Sequence, residues 1–151
     1  GDPSLVDVVG LNFFPHNQWY FEGPTIPMGH HEYRPLSDML AEMAGRYRKP
    51  LFLSETGAEG SGRASWLYYV CGEVREALDR GVRIEGICLY PITAYPGWDN
   101  SRHCQSGRLW PVTSDGTRHV DPRLLEELES QRRKFGIEDE PRRPRVVARR
   151  T

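Results

Sequence analysis

The chain has 151 residues, 38% hydrophobic and 27% charged, with 15 Gly, 12 Pro and a formal charge of −1. That is one domain's worth of chain. The 11% aromatic content argues against disorder throughout, and no apolar stretch approaches the ~18 residues of a membrane span.

Taken in chain order, residues 5–14 (Leu-Val-Asp-Val-Val-Gly-Leu-Asn-Phe-Phe) are a mostly apolar run that stops at Pro15. The run predicts a strand covered on both faces, since a half-solvated strand would alternate. Residues 35–48 predict a helix, with Pro35 in the first turn and Leu36, Met39, Leu40 and Met43 on one side. Residues 50–54 predict a second strand. Over 64–80, Leu67, Val70, Cys71, Val74, Ala77 and Leu78 make one apolar stripe at helical spacing, and Gly81 supplies the stop. Residues 84–92 predict a third strand. A loop then covers 91–121, and a last helix spans 122–135, with Asp121 as N-cap, Pro122 at its first position and Leu124, Leu125 and Leu128 inward.

Alternating strands and helices predict a parallel sheet covered by helices. Three strands do not close such a sheet: a (β/α)8 barrel needs ~250 residues. Residues 1–136 therefore read as the C-terminal portion of a larger barrel, three βα units incomplete as a single chain. Residues 137–151 read as a basic, disordered tail. Residues 141–151 hold five arginines and no acid, so residues 1–140 carry 15 basic against 21 acidic side chains, a net −6. The tail has no aromatic residue to stack on a base, which argues against nucleic acid as a partner.

Cys71, Cys88 and Cys104 fit neither a disulfide framework nor a CxxC zinc motif. Cys71 and Cys88 fall in apolar patterns that predict buried thiols. With no signal-peptide pattern at the N-terminus, this points to a reducing, cytoplasmic setting. His30-His31-Glu32 offers metal-binding side chains, but adjacent histidines are expected to point apart, so neither a metal nor a cofactor is expected. Gly57-Ala58-Glu59-Gly60-Ser61-Gly62 lacks the spacing of a phosphate loop and reads as a flexible loop beside a site.

In parallel βα folds the chemistry sits where strands end at their C-terminal edges. The second strand ends Leu53-Ser54-Glu55-Thr56-Gly57. An unpaired carboxylate there is expensive to bury, so Glu55 faces solvent or a site, where it suits a nucleophile or general base. The other strand ends add His16, Asn17, Gln18, Trp19 and Tyr20, then Tyr95, Trp98, Asp99, Asn100, His103 and Trp110. Rings beside amides and carboxylates suit a sugar, with its apolar C–H faces and hydroxyl rim.

Here the residues resemble a known family. Lys49-Pro50-Leu51-Phe52-Leu53-Ser54-Glu55-Thr56-Gly57 is similar to the seventh-strand motif of clan A glycoside hydrolases, whose Glu is the nucleophile. Val6-Asp7-Val8-Val9-Gly10-Leu11-Asn12-Phe13-Phe14 is similar to the sixth strand of family 1 β-glucosidases. Gly86-Ile87-Cys88-Leu89-Tyr90-Pro91-Ile92, with Trp98-Asp99 and Gly107-Arg108-Leu109-Trp110, resembles the eighth strand and its substrate loop.

The resemblance implies a retaining β-glycosidase with Glu55 as nucleophile. It places Asn12 on the rim of the −1 sugar pocket and gives Trp98 and Asp99 sugar contacts. Two departures stand out. Phe14 falls where the family has a tyrosine whose hydroxyl bonds the nucleophile, which leaves that contact to His16 or Tyr90. No Asn-Glu dipeptide, the family's acid/base motif, occurs in the chain. Retention needs two carboxyl groups ~5–5.5 Å apart, so the acid/base is expected from a missing part of the barrel. The alternative is a non-catalytic carbohydrate-binding barrel. Partners expected are a carbohydrate and either the rest of the barrel or a second copy, covering the open edges and the apolar inner face of an unclosed sheet.

Overall fold

The computed structural model describes residues 3–93, 95–97, 102–104 and 120–137. Strands β1 (Val9–Phe13), β2 (Leu51–Thr56) and β3 (Ile84–Leu89) form one parallel sheet in the order β1-β2-β3. Helix α1 (Leu36–Tyr47) joins the first two strands and α2 (Arg63–Asp79) joins the second pair. A two-residue antiparallel ribbon, β4 (Tyr95–Pro96) with β5 (His103–Cys104), and helix α3 (Pro122–Lys134) complete the described chain. Apart from the ribbon, which falls in the segment expected as a loop over 91–121, the succession is the predicted one, a three-strand α/β unit. The basic segment from residue 138 onward lies outside the described residues.

Local chemistry sets the helix ends. At α2, Gly81 adopts φ +83°, its N–H donates to Leu78 O and the Val82 N–H reaches back to Ala77 O. This double bond to the last turn requires a left-handed residue, which glycine supplies without a Cβ penalty. Asp121 caps α3, accepting from the N–H groups of Arg123 and Leu124 at 3.1 Å each, with Pro122 behind it. Pro35 at the start of α1 has no side chain to cap with. A partner from α2 does it instead: the Glu73 carboxylate accepts from Ser37 N–H at 2.9 Å and Ser37 Oγ at 2.8 Å.

Leu36 and Leu40 of α1, Trp66, Val70, Val74 and Ala77 of α2, and Phe13, Leu51 and Leu53 of the sheet form one buried cluster. Leu124 of α3 adds a second with Leu67 and Cys71. Burial lifts the Cys71 thiol to about 11. Trp66 sits four residues before Val70 and belongs to the α2 stripe, whereas Leu78, expected inward, is 37% exposed at the end of the helix.

Three expectations are corrected. The first strand does not start at residue 5: Pro3–Leu5 is a short 3-10 turn, Leu5 and Val8 are exposed, and pairing begins at Val9 opposite Leu51. The sheet is not covered on both faces among the described residues. Val9, Leu11 and Phe13 point to the helices, while Gly10 and Asn12 between them are exposed. That open face carries Gly10, Asn12, Phe52, Ser54, Gly86 and Cys88, a mixture of small, polar and aromatic groups and not the apolar surface expected. A Cβ at Gly86 would lie 2.9 Å from the Phe52 ring, so a side chain there would displace that ring. Cys88, expected buried, is exposed because it alternates with the helix-facing Ile87 and Leu89.

Candidate active site

The centre of the site is made by an irregularity in strand pairing. Leu11 pairs with Leu53, but the next residue, Asn12, pairs with Glu55, so Ser54 is an extra residue on β2. In an unbroken strand Glu55 would share the face of Leu51 and Leu53, beneath the helices. The bulge hands that inward place to Thr56, which is 0% exposed, and releases Glu55.

Thr56 locks the arrangement. Its hydroxyl donates to Phe13 O at 2.7 Å and accepts from the Trp66 indole N–H at 2.9 Å, so a buried polar group is satisfied twice.

The side chains above this anchor are ordered by donor logic. Ser54 Oγ lies 2.9 Å from Asn12 Oδ1 and 3.2 Å from Leu11 O. Because the Asn12 oxygen is occupied by a hydroxyl donor, its amide nitrogen is the atom that faces Glu55, at 3.3 Å from Oε2. Asn12 and Glu55, singled out on different strands 43 residues apart, are thus direct neighbours.

Glu55 opens into a cavity of about 810 Å³, also lined by Phe14, His16, Met28, Glu59, Tyr69 and Tyr90. That volume suits a small organic ligand. His16 and Tyr90 therefore share the cavity with Glu55, and the Phe14 ring stacks with the His16 imidazole at 6.0 Å. Gly57 forms part of the wall, and a Cβ at that position would lie 2.2 Å from the Tyr90 carbonyl oxygen, so only glycine lets the chain leave β2 this close to the end of β3. The Tyr90–Pro91 peptide is cis. Tyr69 accepts weakly from Leu36 N–H at 3.4 Å; burial, and then its bond from Tyr33, push its phenol well above the ordinary value.

Trp98 and Asp99 lie outside the described residues. Among the described residues lining the cavity, Glu55 and Glu59 are the carboxylates. Both oxygens of Glu59 are engaged by the Arg102 guanidinium, at 2.8 and 3.0 Å. This pair was not legible in sequence, since its members stand 43 residues apart in loops without periodicity. Ser54 was also missed; a hydroxyl between an apolar strand and a strand-end carboxylate was the available signal. The expectation that the adjacent imidazoles point apart is overturned: the His30 and His31 rings lie 4.3 Å apart, and they share a donor cluster with Glu32. A turn, unlike a strand, imposes no alternation.

No protein-family profile matches the sequence, and no curated protein does. Solved structures do match. Fpglu1 from Fervidobacterium pennivoraus superposes with a TM-score of 0.63 at 18% identity, over 87% of this chain and 36% of that one. The β-glycosidase from Thermosphaera aggregans gives 0.63 at 21% identity, over 83% and 32%. The family 1 β-glucosidase from Thermotoga maritima gives 0.63 at 16% identity, over 90% and 36%. The fold of this chain is thus the fold of part of a family 1 β-glucosidase barrel, a class of the clan A glycoside hydrolases. The chain spans about a third of the length of those structures.

Proposed function

We propose that the chain carries the nucleophile half of a retaining β-glycosidase site, with Glu55 as the attacking carboxylate. The observation that carries this reading is the bulge at Ser54, which turns Glu55 out of the helix-covered face and sets it against Asn12 at the edge of a ligand-sized cavity. Glu55 attacks the anomeric carbon, the glycosidic bond to the leaving oxygen breaks, and a covalent glycosyl ester forms that water then hydrolyses. Asn12 orients the carboxylate and lies on the rim of the −1 sugar pocket. His16 and Tyr90 offer hydrogen-bonding groups along the wall, and Trp98 and Asp99 contact the sugar from the loop after β3.

The second carboxyl must protonate the leaving oxygen. Glu59 shares the cavity, but both its oxygens are committed to Arg102, whereas a general acid needs a free oxygen carrying a proton. The acid/base group therefore comes from the five βα units that complete a barrel beyond this three-strand unit. Those units also cover the edges of β1 and β3.

Trapping with a panel of 2-deoxy-2-fluoro glycosides, read by intact mass and peptide mapping on the assembled barrel, tests the reading. An adduct on Glu55 is expected, and the sugar that labels names the substrate class. An adduct on any other carboxylate would sink it. A second reading, carbohydrate binding without catalysis, is favoured by Phe14, which brings no hydroxyl to the carboxylate's end of the cavity. Full retention of sugar affinity with no adduct would select it.

A further inference from the structure

The connection between β1 and α1, residues 14–35, holds a second cluster that the glycosidase reading does not use. His30, His31 and Glu32 each place one donor atom within 4.8 Å of the other two. We propose that they form a binding site for a zinc-type divalent cation.

The donor chemistry selects the ion. Two imidazoles and one carboxylate suit Zn²⁺ and its neighbours, whereas Ca²⁺ and Mg²⁺ take oxygen ligands. Tetrahedral donors at metal–ligand distances of ~2.0–2.1 Å stand about 3.4 Å apart. Closing the cluster therefore takes small side-chain rotations at largely exposed residues, with water in the remaining position.

The backbone is already held for this. His30 N–H donates to Pro27 O at 3.0 Å and Tyr33 N–H donates to His30 O at 2.9 Å, and Gly29 enters the turn at φ +89°. Glu32 N–H donates to His30 Nδ1 at 3.2 Å, so that nitrogen presents a lone pair, which the cation takes over from a long bond. Tyr20 supplies the outer support. Its hydroxyl donates to the Glu32 carboxylate, and its ring stands edge-on to His30 at 6.4 Å. A bound ion would clip a 22-residue connection that contributes His16 and Met28 to the cavity wall.

The test is Zn²⁺ titration of the chelator-treated full chain by calorimetry, beside His30→Ala/His31→Ala and Tyr20→Phe, with circular dichroism confirming that each folds. The double variant is expected to bind about 100-fold more weakly and Tyr20→Phe about tenfold more weakly. Co²⁺ substitution should give d–d bands without thiolate charge transfer, and these should vanish in the double variant. Wild-type binding weaker than about millimolar, double-variant affinity within about twofold of wild type, or thiolate bands that persist would each overturn the site. Neither readout depends on Glu55, so this outcome and that of the glycosidase reading are separable.

Discussion

The two faces of the three-strand sheet differ more than the sequence of any one strand suggests. The helix-facing side is closed by Leu51, Leu53, Val70 and Val74, all at 2% exposure or less. The other side carries Asn12, Ser54 and Cys88 among glycines and the Phe52 ring. One face is built for burial, while the other leaves small and polar groups uncovered among the described residues. Stability and chemistry part company across this sheet. Thr56 is the exchange point: it takes the inward place that alternation would give to Glu55, and Trp66 fixes it there.

The chemistry on the open side gives the strongest test. Glu55→Gln should lower turnover by about four orders of magnitude in an assembled barrel, the scale of losing a residue that forms a covalent intermediate, with stability unchanged. Steady-state kinetics checks it, and a variant retaining a tenth of wild-type turnover would remove Glu55 from that role.

On the covered face, Leu53→Ala should cost about 2–5 kcal/mol in urea unfolding. Its neighbour Phe52→Ala, on the open face, should cost less than about 1.5 kcal/mol in the isolated chain. Equal costs would mean that the open face is buried in solution, as self-association would produce.

Thiol labelling sharpens the same contrast without mutation. Burial raises Cys71 from the ordinary 9.0 to about 11, which lowers its thiolate fraction at pH 8 by about a hundredfold. Exposed Cys88, which a reagent reaches without local opening, should label faster. Completion of the barrel, or pairing of two copies across this face, should abolish the Cys88 advantage, and peptide mapping after timed alkylation reads both states.

The smallest effect concerns the cap of α3. Burial alone would raise the Asp121 carboxyl, but the N–H bond from Leu124, the Arg63 charge and the N–H of Arg123 outweigh it and hold it below the ordinary 3.8. A carboxyl depressed in the folded state stabilises fully above its unfolded value and loses that contribution as pH falls through its folded one. Asp121→Ala should cost about 1 kcal/mol near neutral pH, and the difference from wild type should shrink as pH drops below 3.8. Chemical denaturation across that range checks the sign.

The order of strands and helices was open to a reader of the chain because each signal is local. Val70, Val74 and Ala77 repeat at helical spacing, Asp121-Pro122 starts α3, and Gly81 ends α2 through its positive φ. The strand-end position of Glu55 was equally legible from the apolar run before it. The exposure of Cys88 and of residues 5–8 was not, because an apolar run says nothing about how many faces find a cover. The Glu73 cap on α1 likewise needed two helices to meet.

The α/β succession, the end of α2 at Gly81, the start of α3 at Asp121 and the candidacy of Glu55 were all written in the chain, since apolar periodicity, capping and turn chemistry act over a few residues. The cost of burying a carboxylate sends Glu55 to solvent or a site, but the means of getting there, a bulge at Ser54, exists only once two strands pair. Alternation along Leu51, Leu53 and Glu55 points it under the helices, and only pairing with β1, where Ser54 is squeezed out opposite Leu11 and Asn12, reverses that. A strand carries no record of its own register; the neighbouring strand's backbone hydrogen bonds set it.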